Sequence, residues 1–321
     1  MSDTTRTGAA GRVSAAVESV YGTEVARSLS MKVKSVTLAK SATNTVIDDL
    51  DAYSGGAVDS VQTQTDVGGE ISTDVYYDKN MLGMMLYALF GNVTEAGSGP
   101  YTHAFKHGAS AGLPSMSMEA NRGAGAGDTE EFYGCQISKA VYTWEAGKPT
   151  MVTYTIIGKD SGNRGTQSVP ATQTGGHISL GSHVASLSFA GSTYAVRKLT
   201  LTVDNHLEGL RDLGSLGISE AVRSNRVEVY LDVELTLRSG ALYTAHKAKT
   251  TGAVTFTSSY SAGSSLDFSS PVGFIETYKD GVTTPGVTTA SMRVRCLADP
   301  SGPTAICTMT LTNSDATYDV S

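Results

Sequence analysis

The sequence is short of charge, tryptophan and cysteine, and it has no long apolar run. Charged residues occupy 17% of its 321 positions, and it contains one Trp and three Cys. The usual charged share is about 25%. The net charge of −7 is modest and Val, Leu and Ile recur throughout, which excludes a disordered chain. Because no stretch of about 18 apolar residues occurs, no membrane-spanning helix and no membrane insertion are predicted.

The low cysteine count also excludes a disulfide-stapled scaffold and is typical of assembly in a reducing cytoplasm. Residues 1–12 are polar and lack the apolar stretch of a secretory signal, so they are predicted to form a flexible arm. Acidic residues outnumber basic ones, 31 against 24. This balance argues against a domain that grips nucleic acid, because such domains are usually strongly basic.

The residues that are abundant favour β-structure. Thirty-five Gly, 15 Tyr and many Thr, Ser and Val are typical of short strands joined by tight turns, so we predict an all-β chain with short helices. Alternation of polar and apolar residues predicts strands at 31–40, 69–77, 101–106, 115–120, 136–145, 151–158, 196–203, 226–238, 254–258, 264–268, 291–298 and 304–312.

Two helices interrupt this pattern. The first is predicted from the N-cap Asp78 to the stop at Gly91, and its apolar stripe belongs in the core. That stripe consists of Met81, Leu82, Met85, Leu86 and Leu89. The second helix is predicted from the cap Ser239 to a point near Gly252.

The second half of the chain repeats the element order of the first. Ser35-Val36-Thr37-Leu38 aligns with Lys198-Leu199-Thr200-Leu201, and a long polar segment follows each, at residues 41–68 and 204–224. Each half then continues with a strand, a helix and further strands. The order of elements, rather than any single match, indicates an ancient duplication.

Each half is also predicted to end in a β-hairpin. Pro149-Thr150 in the turn of the first hairpin aligns with Pro303-Thr304 in the turn of the second. The Gly/Ser/Thr-rich stretch between the halves is the best domain boundary in the chain. We therefore predict a first domain at 1–161, with the arm at 1–12, a linker at 162–176 and a second domain at 177–321.

No catalytic, metal-binding or cofactor-binding residues are predicted. Gly123, Gly125 and Gly127 lack the strand–turn–helix context of a dinucleotide site and indicate a mobile loop. His103 and His107 fall in a predicted strand, where a spacing of four places them about 13 Å apart, too far to share one zinc. We interpret them as surface or half-buried residues.

Cys296 and Cys307 are the one pair of interest. A symmetrical terminal hairpin would place them directly across from one another. Two readings follow, a redox pair or cross-strand disulfide, and two small apolar residues on a buried sheet face. The second is favoured because free cysteines are commonly buried in this way.

Several segments resemble the tail tube proteins of long-tailed phages. Glu18 to Thr23 is similar to an N-terminal "E-x-x-Y-G-T", Tyr133-Gly134-Cys135 to a "Y-x-G-C" strand, and Gly158-Lys159 to the end of its return strand. Further similar segments are Gly68 to Tyr77 with Asn80 to Gly91, Leu199 to Gly214, and Leu242-Tyr243. The resemblance covers most of the chain through several moderate motifs.

The resemblance implies a structural virion protein of the tail, assembled in the host cytoplasm, and no enzyme. It implies two tandem tail-tube-like β-sandwich or half-barrel units, each flanked by one α-helix. Such subunits form rings that stack into a tube through which viral DNA passes without specific binding. With two units in one chain, we expect a trimeric ring with pseudo-sixfold symmetry rather than a hexamer. Expected partners are the tape measure protein, the tail terminator and tail-tip proteins.

The two long polar segments are the candidate contacts between subunits or rings, because long loops are uncommon unless they are functional. Their charged residues are Asp48, Asp49, Asp51, Glu208, Arg211, Asp212 and Arg223. We also expect a neutral or negative lumen, since a basic one would hold DNA through many phosphate contacts. The alternative reading is a receptor- or carbohydrate-binding β-sandwich of a tail tip or surface adhesin, which requires exposed aromatic clusters.

Overall fold

The computed structural model of the chain describes residues 11–47, 59–77, 80–107, 112–123, 128–165, 185–237, 240–261, 263–281, 288–299 and 305–316. This part is mostly β-structure with two short helices, as the composition predicts. The strands of the first half are β1 (Arg12–Val17), β2 (Leu29–Lys32), β3 (Ser35–Val36), β4 (Ala39–Ile47), β5 (Asp59–Asp74), β6 (Gly91–Ala96), β7 (Tyr101–His107), β8 (Met116–Asn121), β9 (Thr129–Glu145), β10 (Met151–Gly158) and β11 (Asp160–Gly165).

The strands that follow are β12 (Ala185–Phe189), β13 (Ser192–Tyr194), β14 (Val196–Asp204), β15 (Leu207–Leu210), β16 (Glu220–Arg223), β17 (Glu228–Thr236), β18 (Thr251–Ser261), β19 (Ser264–Gly281), β20 (Thr289–Leu297) and β21 (Thr308–Asn313). Their hydrogen bonds join β15 to β16 in a separate two-stranded sheet and connect the other strands into one branched sheet.

The two helices lie near the positions predicted. Helix α1 (Asn80–Phe90) is apolar around most of its circumference and ends before Gly91, and its Met81, Met84 and Met85 side chains are buried. Helix α2 (Ala241–Lys247) is shorter than predicted and buries one side chain, Leu242. The predicted caps Asp78 and Ser239 lie outside the described residues. Neither helix is long and apolar enough to cross a bilayer.

A continuous ladder of eight strands forms the backbone of the fold. Its order is β3, β5, β10, β9, β14, β17, β20 and β19, with every neighbouring pair antiparallel. Within it, β9 pairs with β14 over Lys139–Glu145 and Lys198–Asp204, and we call this pairing the central seam. The seam joins strands from the two halves of the sequence.

Two long strands bend and leave this ladder. The first seven residues of β9 pair with β8 and β11, and the remainder pairs with β10 and β14. Strand β19 behaves in the same way, with its first part on β18 and β21 and its last part on β20. A bend of this kind lets one strand contribute to two packed layers, with the core between them.

The core faces of the ladder strands alternate with their outer faces. In β10, Val152, Tyr154 and Ile156 are buried, whereas Thr153 and Thr155 between them are partly exposed. The same alternation holds through β17 and β20, and through β14 except that Thr202 is also buried. One face of the eight-stranded ladder therefore packs on the core and the other is polar, as expected for an antiparallel sheet.

Four predictions about elements are corrected by the structure. The strand expected at 31–40 is divided among β2, β3 and β4, because the chain changes partner from β1 to β5 along it. The polar segment 41–68 is a hairpin of β4 with the first half of β5, apart from 48–58, which lie outside the described residues. The third correction concerns the bounds of the arm and the linker, since Arg12 begins β1 and the first residues of the predicted linker belong to β11.

The fourth correction concerns the terminal hairpin. Strands β20 and β21 exist, but β20 pairs with β17 and β19, and β21 pairs with β19 and β7, so they do not form a hairpin. Cys296 therefore lies across from Gly273 rather than from Cys307. Both cysteines are free and buried, which agrees with the reading as small apolar core residues.

Candidate assembly surfaces

A buried carboxylate near the N-terminus organises one corner of the fold. Glu18 is 7% exposed and accepts four hydrogen bonds. Its Oε2 accepts from the backbone N–H of Gly22 at 2.8 Å and from Ser115 Oγ at 2.7 Å. Its Oε1 accepts from Ser117 Oγ at 2.8 Å and from the N–H of Gly134 at 2.8 Å. A carboxylate removed from water requires such a set of donors, so each lone-pair direction is satisfied.

The two glycines of this corner are required by backbone geometry. Gly22 and Gly134 have φ values of +69° and +64°, a region that L residues rarely adopt. A Cβ on either glycine would also collide with the side chain of Lys159. The Lys159 ammonium lies 5.3 Å from the centre of the Tyr21 ring. Burial is the main factor that raises the Tyr21 pKa to about 12.

This corner lies where β9 changes layers. Gly134 lies next to the point, between Cys135 and Gln136, at which β9 passes from its β8 and β11 partners to β10 and then β14. The segment 18–23, the Tyr133-Gly134-Cys135 strand and Gly158-Lys159 are far apart in sequence and meet here. We call the set of Glu18, Gly22, Ser115, Ser117 and Gly134 the Glu18 junction. Sequence reasoning quoted these motifs but did not identify the carboxylate that joins them.

The polar face of the eight-stranded ladder receives strands from both halves of the sequence, and we call it the open face. At the ladder positions that alternate with the core, its acidic residues are Glu70, Asp74, Glu145, Asp204, Glu228, Asp232 and Glu234, and its basic residues are Lys139, Lys198, Lys279, Arg293 and Arg295. Seven against five leaves a formal charge of −2 for this set. Threonine and serine occupy most of the remaining positions, together with Val141, Met151, Tyr230 and Phe274.

Most of the basic groups on the open face are neutralised locally. Arg293 makes a two-pronged ion pair with Asp232, with distances of 2.7 and 2.9 Å. Arg295 lies 3.0 Å from Glu228, and across the central seam Lys139 lies 3.6 Å from Asp204. The hydrogen bonds that the Arg293 guanidinium donates to Asp232 raise the pKa of Arg293 above its usual value. The face thus offers few free cations to a polyanion.

The first group of candidate contact residues, Asp48, Asp49 and Asp51, lies outside the described residues. The strands that lead to them, β4 and the beginning of β5, form a two-stranded arm whose side chains are mostly exposed, including Val46 at 57% and Val61 at 47%. An exposed strand pair of this kind is a surface on which a neighbour can be bound.

The second group lies on a hairpin rather than in a loop. Glu208, Arg211, Asp212 and Arg223 are all exposed, on β15, on β16 or in the turn that joins them. The structure does not bring these four into one cluster. Three leucines near the tip of this hairpin are also exposed, Leu210 at 49%, Leu213 at 106% and Leu216 at 48%.

Two of these residues contact other parts of the chain. Arg211 forms an ion pair with Asp66 and donates to the carbonyl oxygens of Thr65 and Leu216, so it holds the hairpin against β5. Arg223 lines an open cavity of about 760 Å³ between the hairpin and the 18–21 segment. Partial burial lowers the pKa of Arg223, and removal from water together with this nearby cation lowers the pKa of the half-buried His107 to about 4.

No arrangement for catalysis or metal binding emerges from the described residues. They contain no cluster of three His, Cys, Asp or Glu side chains that could hold a metal. Burial raises the pKa of all three cysteine thiols, to about 12 for Cys296, which opposes nucleophilic use. His103, expected at the surface or half-buried, is fully buried, and its Nε2 lies 2.9 Å from the carbonyl oxygen of Asp315. Trp144, the single tryptophan, is 2% exposed.

Comparison with known proteins identifies the family. Residues 8–296 match a family model described as "Phage tail tube protein", which spans most of the chain. No curated protein matches the sequence. The match agrees with an antiparallel β-structure that carries a large polar face and projecting hairpins. The chain belongs to the phage tail tube protein family, and it is a structural component of the virion tail that assembles into a tube.

Proposed function

We propose that three copies of this chain form one ring of the tail tube, that each copy contributes two similar units, and that the open face lines the lumen. The observation that carries this proposal is the central seam. Within one chain, the last strand of the ladder in the first half, β9, already pairs edge to edge with the first ladder strand of the second half, β14. Repeating that junction between chains closes a ring.

Support for two tandem units comes from the order of strand pairing. Except for β4–β5 and β6–β7, each strand pair in the first half has a counterpart in the second. The proposed equivalents are β1 with β12, β2 with β13, β3 with β14, β5 with β17, α1 with α2, β8 with β18, β9 with β19, β10 with β20, and β11 with β21. In this equivalence the β9–β10 hairpin corresponds to the pair β19–β20. The alignment of Pro149 with Pro303 instead matches that hairpin to β20 and β21.

The irregularities of the strands match as well. Strand β9 has a register shift between Ile137 and Lys139, and β19 has one between Ile275 and Thr277. The register shift in β19 lies 138 residues after the one in β9. Register shifts within strands are specific structural features that families preserve. Coincidence of their positions supports descent of both units from one ancestor.

Three chains give a channel of suitable size. Each chain supplies eight strands to the ladder, so a trimer closes 24. With strands about 4.8 Å apart and tilted by about 40°, such a barrel has a backbone diameter of roughly 45–50 Å. Side chains narrow this channel but leave room for duplex DNA.

The electrostatics of the open face suit a passage for DNA. A lumen that offered many free Lys and Arg would bind phosphates and release counterions, and this would hold the DNA in place. The charged ladder positions of the open face sum to −2 and most of their cations are paired, so this face should not hold DNA in place. DNA passes transiently and without specific binding.

The two projecting hairpins are the proposed contacts between rings or neighbouring subunits. They are the β4–β5 arm, with Asp48, Asp49 and Asp51 in the segment joining its strands, and the β15–β16 hairpin with Leu213 at its tip. Exposed apolar side chains at such tips are unfavourable in a free subunit and are stabilised when a neighbour covers them. At its ends the tube is expected to bind the tail terminator and tail-tip proteins, with the tape measure protein inside.

Electron microscopy of the purified protein tests the proposal. The expected result is long tubes with a central channel, and a mass per ring, or an end-on projection, that corresponds to three chains. Six chains per ring would exclude the trimeric ring with pseudo-sixfold symmetry. Globular monomers that bind glycans would instead support the adhesin alternative, which the burial of Trp144 disfavours.

A further inference from the structure

We propose that the free edge of β19 pairs with β3 and the start of β4 of a second copy, in a register set by the central seam. This inference rests on the proposed ring and names the residues that join its subunits. In the described residues, β19 from Ile275 to Gly281 is paired only on its β20 side. Among the strands that the structure describes, none pairs with the edge of β3 and β4 that faces away from β5.

The internal pairings specify which residues correspond. Val36 pairs with Ile71, and Leu199 pairs with Val233 in the equivalent position. Ile71 and Val233 in turn lie opposite Tyr154 and Met292 of the next strands. A residue of β14 therefore corresponds to the residue 163 positions earlier in β3 or β4.

The other side of the contact follows in the same way. Tyr154 pairs with Ala140 and Met292 pairs with Tyr278, so a residue of β9 corresponds to the one 138 positions later in β19. In the seam, Thr202 lies opposite Val141. The two offsets convert this pair into Ala39 of one copy opposite Lys279 of the next.

The hydrogen-bonding phase of the new contact is also determined. At the end of the seam, the N–H of Asn205 donates to the carbonyl oxygen of Ser138, which makes this a hydrogen-bonded pair. Antiparallel pairs alternate, so Asp204–Lys139 and Thr202–Val141 are non-hydrogen-bonded pairs. Their counterparts, Ser41–Thr277 and Ala39–Lys279, should then have Cα atoms only about 4.5 Å apart.

The isolated subunit protects the acceptor edge with a side chain. By the same alternation of hydrogen-bonded pairs, the carbonyl oxygen of Leu38 points towards the position that β19 of the second copy would occupy. The Arg122 guanidinium donates a hydrogen bond to this oxygen. A charged group on an unpaired strand edge is a device that opposes premature pairing. The occupant that fits this edge is β19 of a second copy, since within the chain the equivalent edge of β14 is paired with β9.

Cysteine trapping tests the register. The variant A39C/K279C should form intermolecular disulfides in assembled tubes, because a non-hydrogen-bonded pair falls within the Cα range of about 4.4–6.8 Å that a disulfide needs. A denaturing non-reducing gel should show covalent species that end at three chains. The native cysteines are buried and have raised thiol pKa values, so they should stay free.

Three controls sharpen the test. V141C/T202C places the same geometry within one chain and should cross-link in the unassembled subunit. A39C/Y278C shifts the register by one residue, which places the two thiols on opposite faces, and should stay reduced. S41C/T277C is the neighbouring pair on the same face, and it replaces A39C/K279C if that variant does not assemble.

The outcomes separate the interface from the proposed function. Tubes with covalent trimers in A39C/K279C or S41C/T277C support the register. Tubes in which both pairs stay reduced while V141C/T202C cross-links, or in which A39C/Y278C cross-links instead, overturn the register and leave the tube assembly standing. Absence of tubes in the unsubstituted protein overturns the proposed ring and this contact with it.

Discussion

Replacing Glu18 by Gln should destabilise the subunit far more than its single changed atom suggests. The carboxylate accepts two hydrogen bonds on each oxygen, from one backbone N–H and one serine hydroxyl. Gln keeps the shape but turns one acceptor into an NH2 group. A serine hydroxyl can rotate to accept from that group, whereas a backbone N–H cannot, so either Gly22 or Gly134 loses its acceptor.

The magnitude follows from these bonds. A buried backbone donor left without a partner costs about 1–3 kcal/mol. The bonds that remain change from charged to neutral, and charge-assisted bonds are about twice as strong as neutral ones. Together these effects predict a loss of about 2–4 kcal/mol in the free energy of unfolding. With a urea dependence of about 3 kcal/mol per molar, the midpoint should fall by about 1 M.

The assay is equilibrium urea unfolding of the unassembled subunit, followed by circular dichroism. The matched control is E208Q, the same substitution at an exposed carboxylate of the β15–β16 hairpin. An exposed carboxylate contributes little, so this variant should lie within about 0.5 kcal/mol of the unsubstituted chain. Equal midpoints for E18Q and E208Q would refute the role of the Glu18 junction.

Three further predictions concern other parts of the chain. The pKa of His107 is about 4 in the folded protein and 6.5 as the ordinary value, so the unfolded state binds the proton first as the pH falls. The free energy of unfolding should therefore decrease by up to roughly 3 kcal/mol between pH 6.5 and pH 4. Thermal unfolding measured over this pH range should show the decrease, and H107Q should not. N205A removes the donor that binds the carbonyl oxygens of Leu89 and Ile137 at 3.0 and 3.1 Å, and it should cost about 1–3 kcal/mol in urea unfolding, whereas N225A at an exposed position should cost almost nothing. L213Q should leave the unfolding free energy unchanged and reduce tube length in electron micrographs, and unimpaired tubes would exclude this residue from the contacts.

Local patterns predicted the elements whose partners are close in sequence. Helix α1 was identified because its apolar residues recur at helical spacing, and the β9–β10 hairpin because its turn is short and contains Gly147 and Pro149. The strand β19 was predicted only to Phe268, although it continues to Gly281. Pro271 interrupts its alternation, and it lies at the change of partners where a proline is tolerated.

Pairing between distant strands could not be predicted in this way. The β20–β21 hairpin was expected because a Pro/Gly-rich segment joins the two strands, yet both prefer the long strand β19. Alternation states that a strand has an apolar face, but it carries no information on which strand lies beside it. The choice depends on the summed burial of the whole sheet.

The sequence by itself determined the β-rich class, the position of α1, the absence of catalytic motifs and the resemblance to tail tube proteins, because these depend on composition and local spacing. Only the tertiary structure decided that Glu18 is a buried acceptor, that the polar residues of eight strands share one face, and that β9 and β14 form the seam. These features depend on residues that lie far apart in the sequence, which folding alone brings into contact.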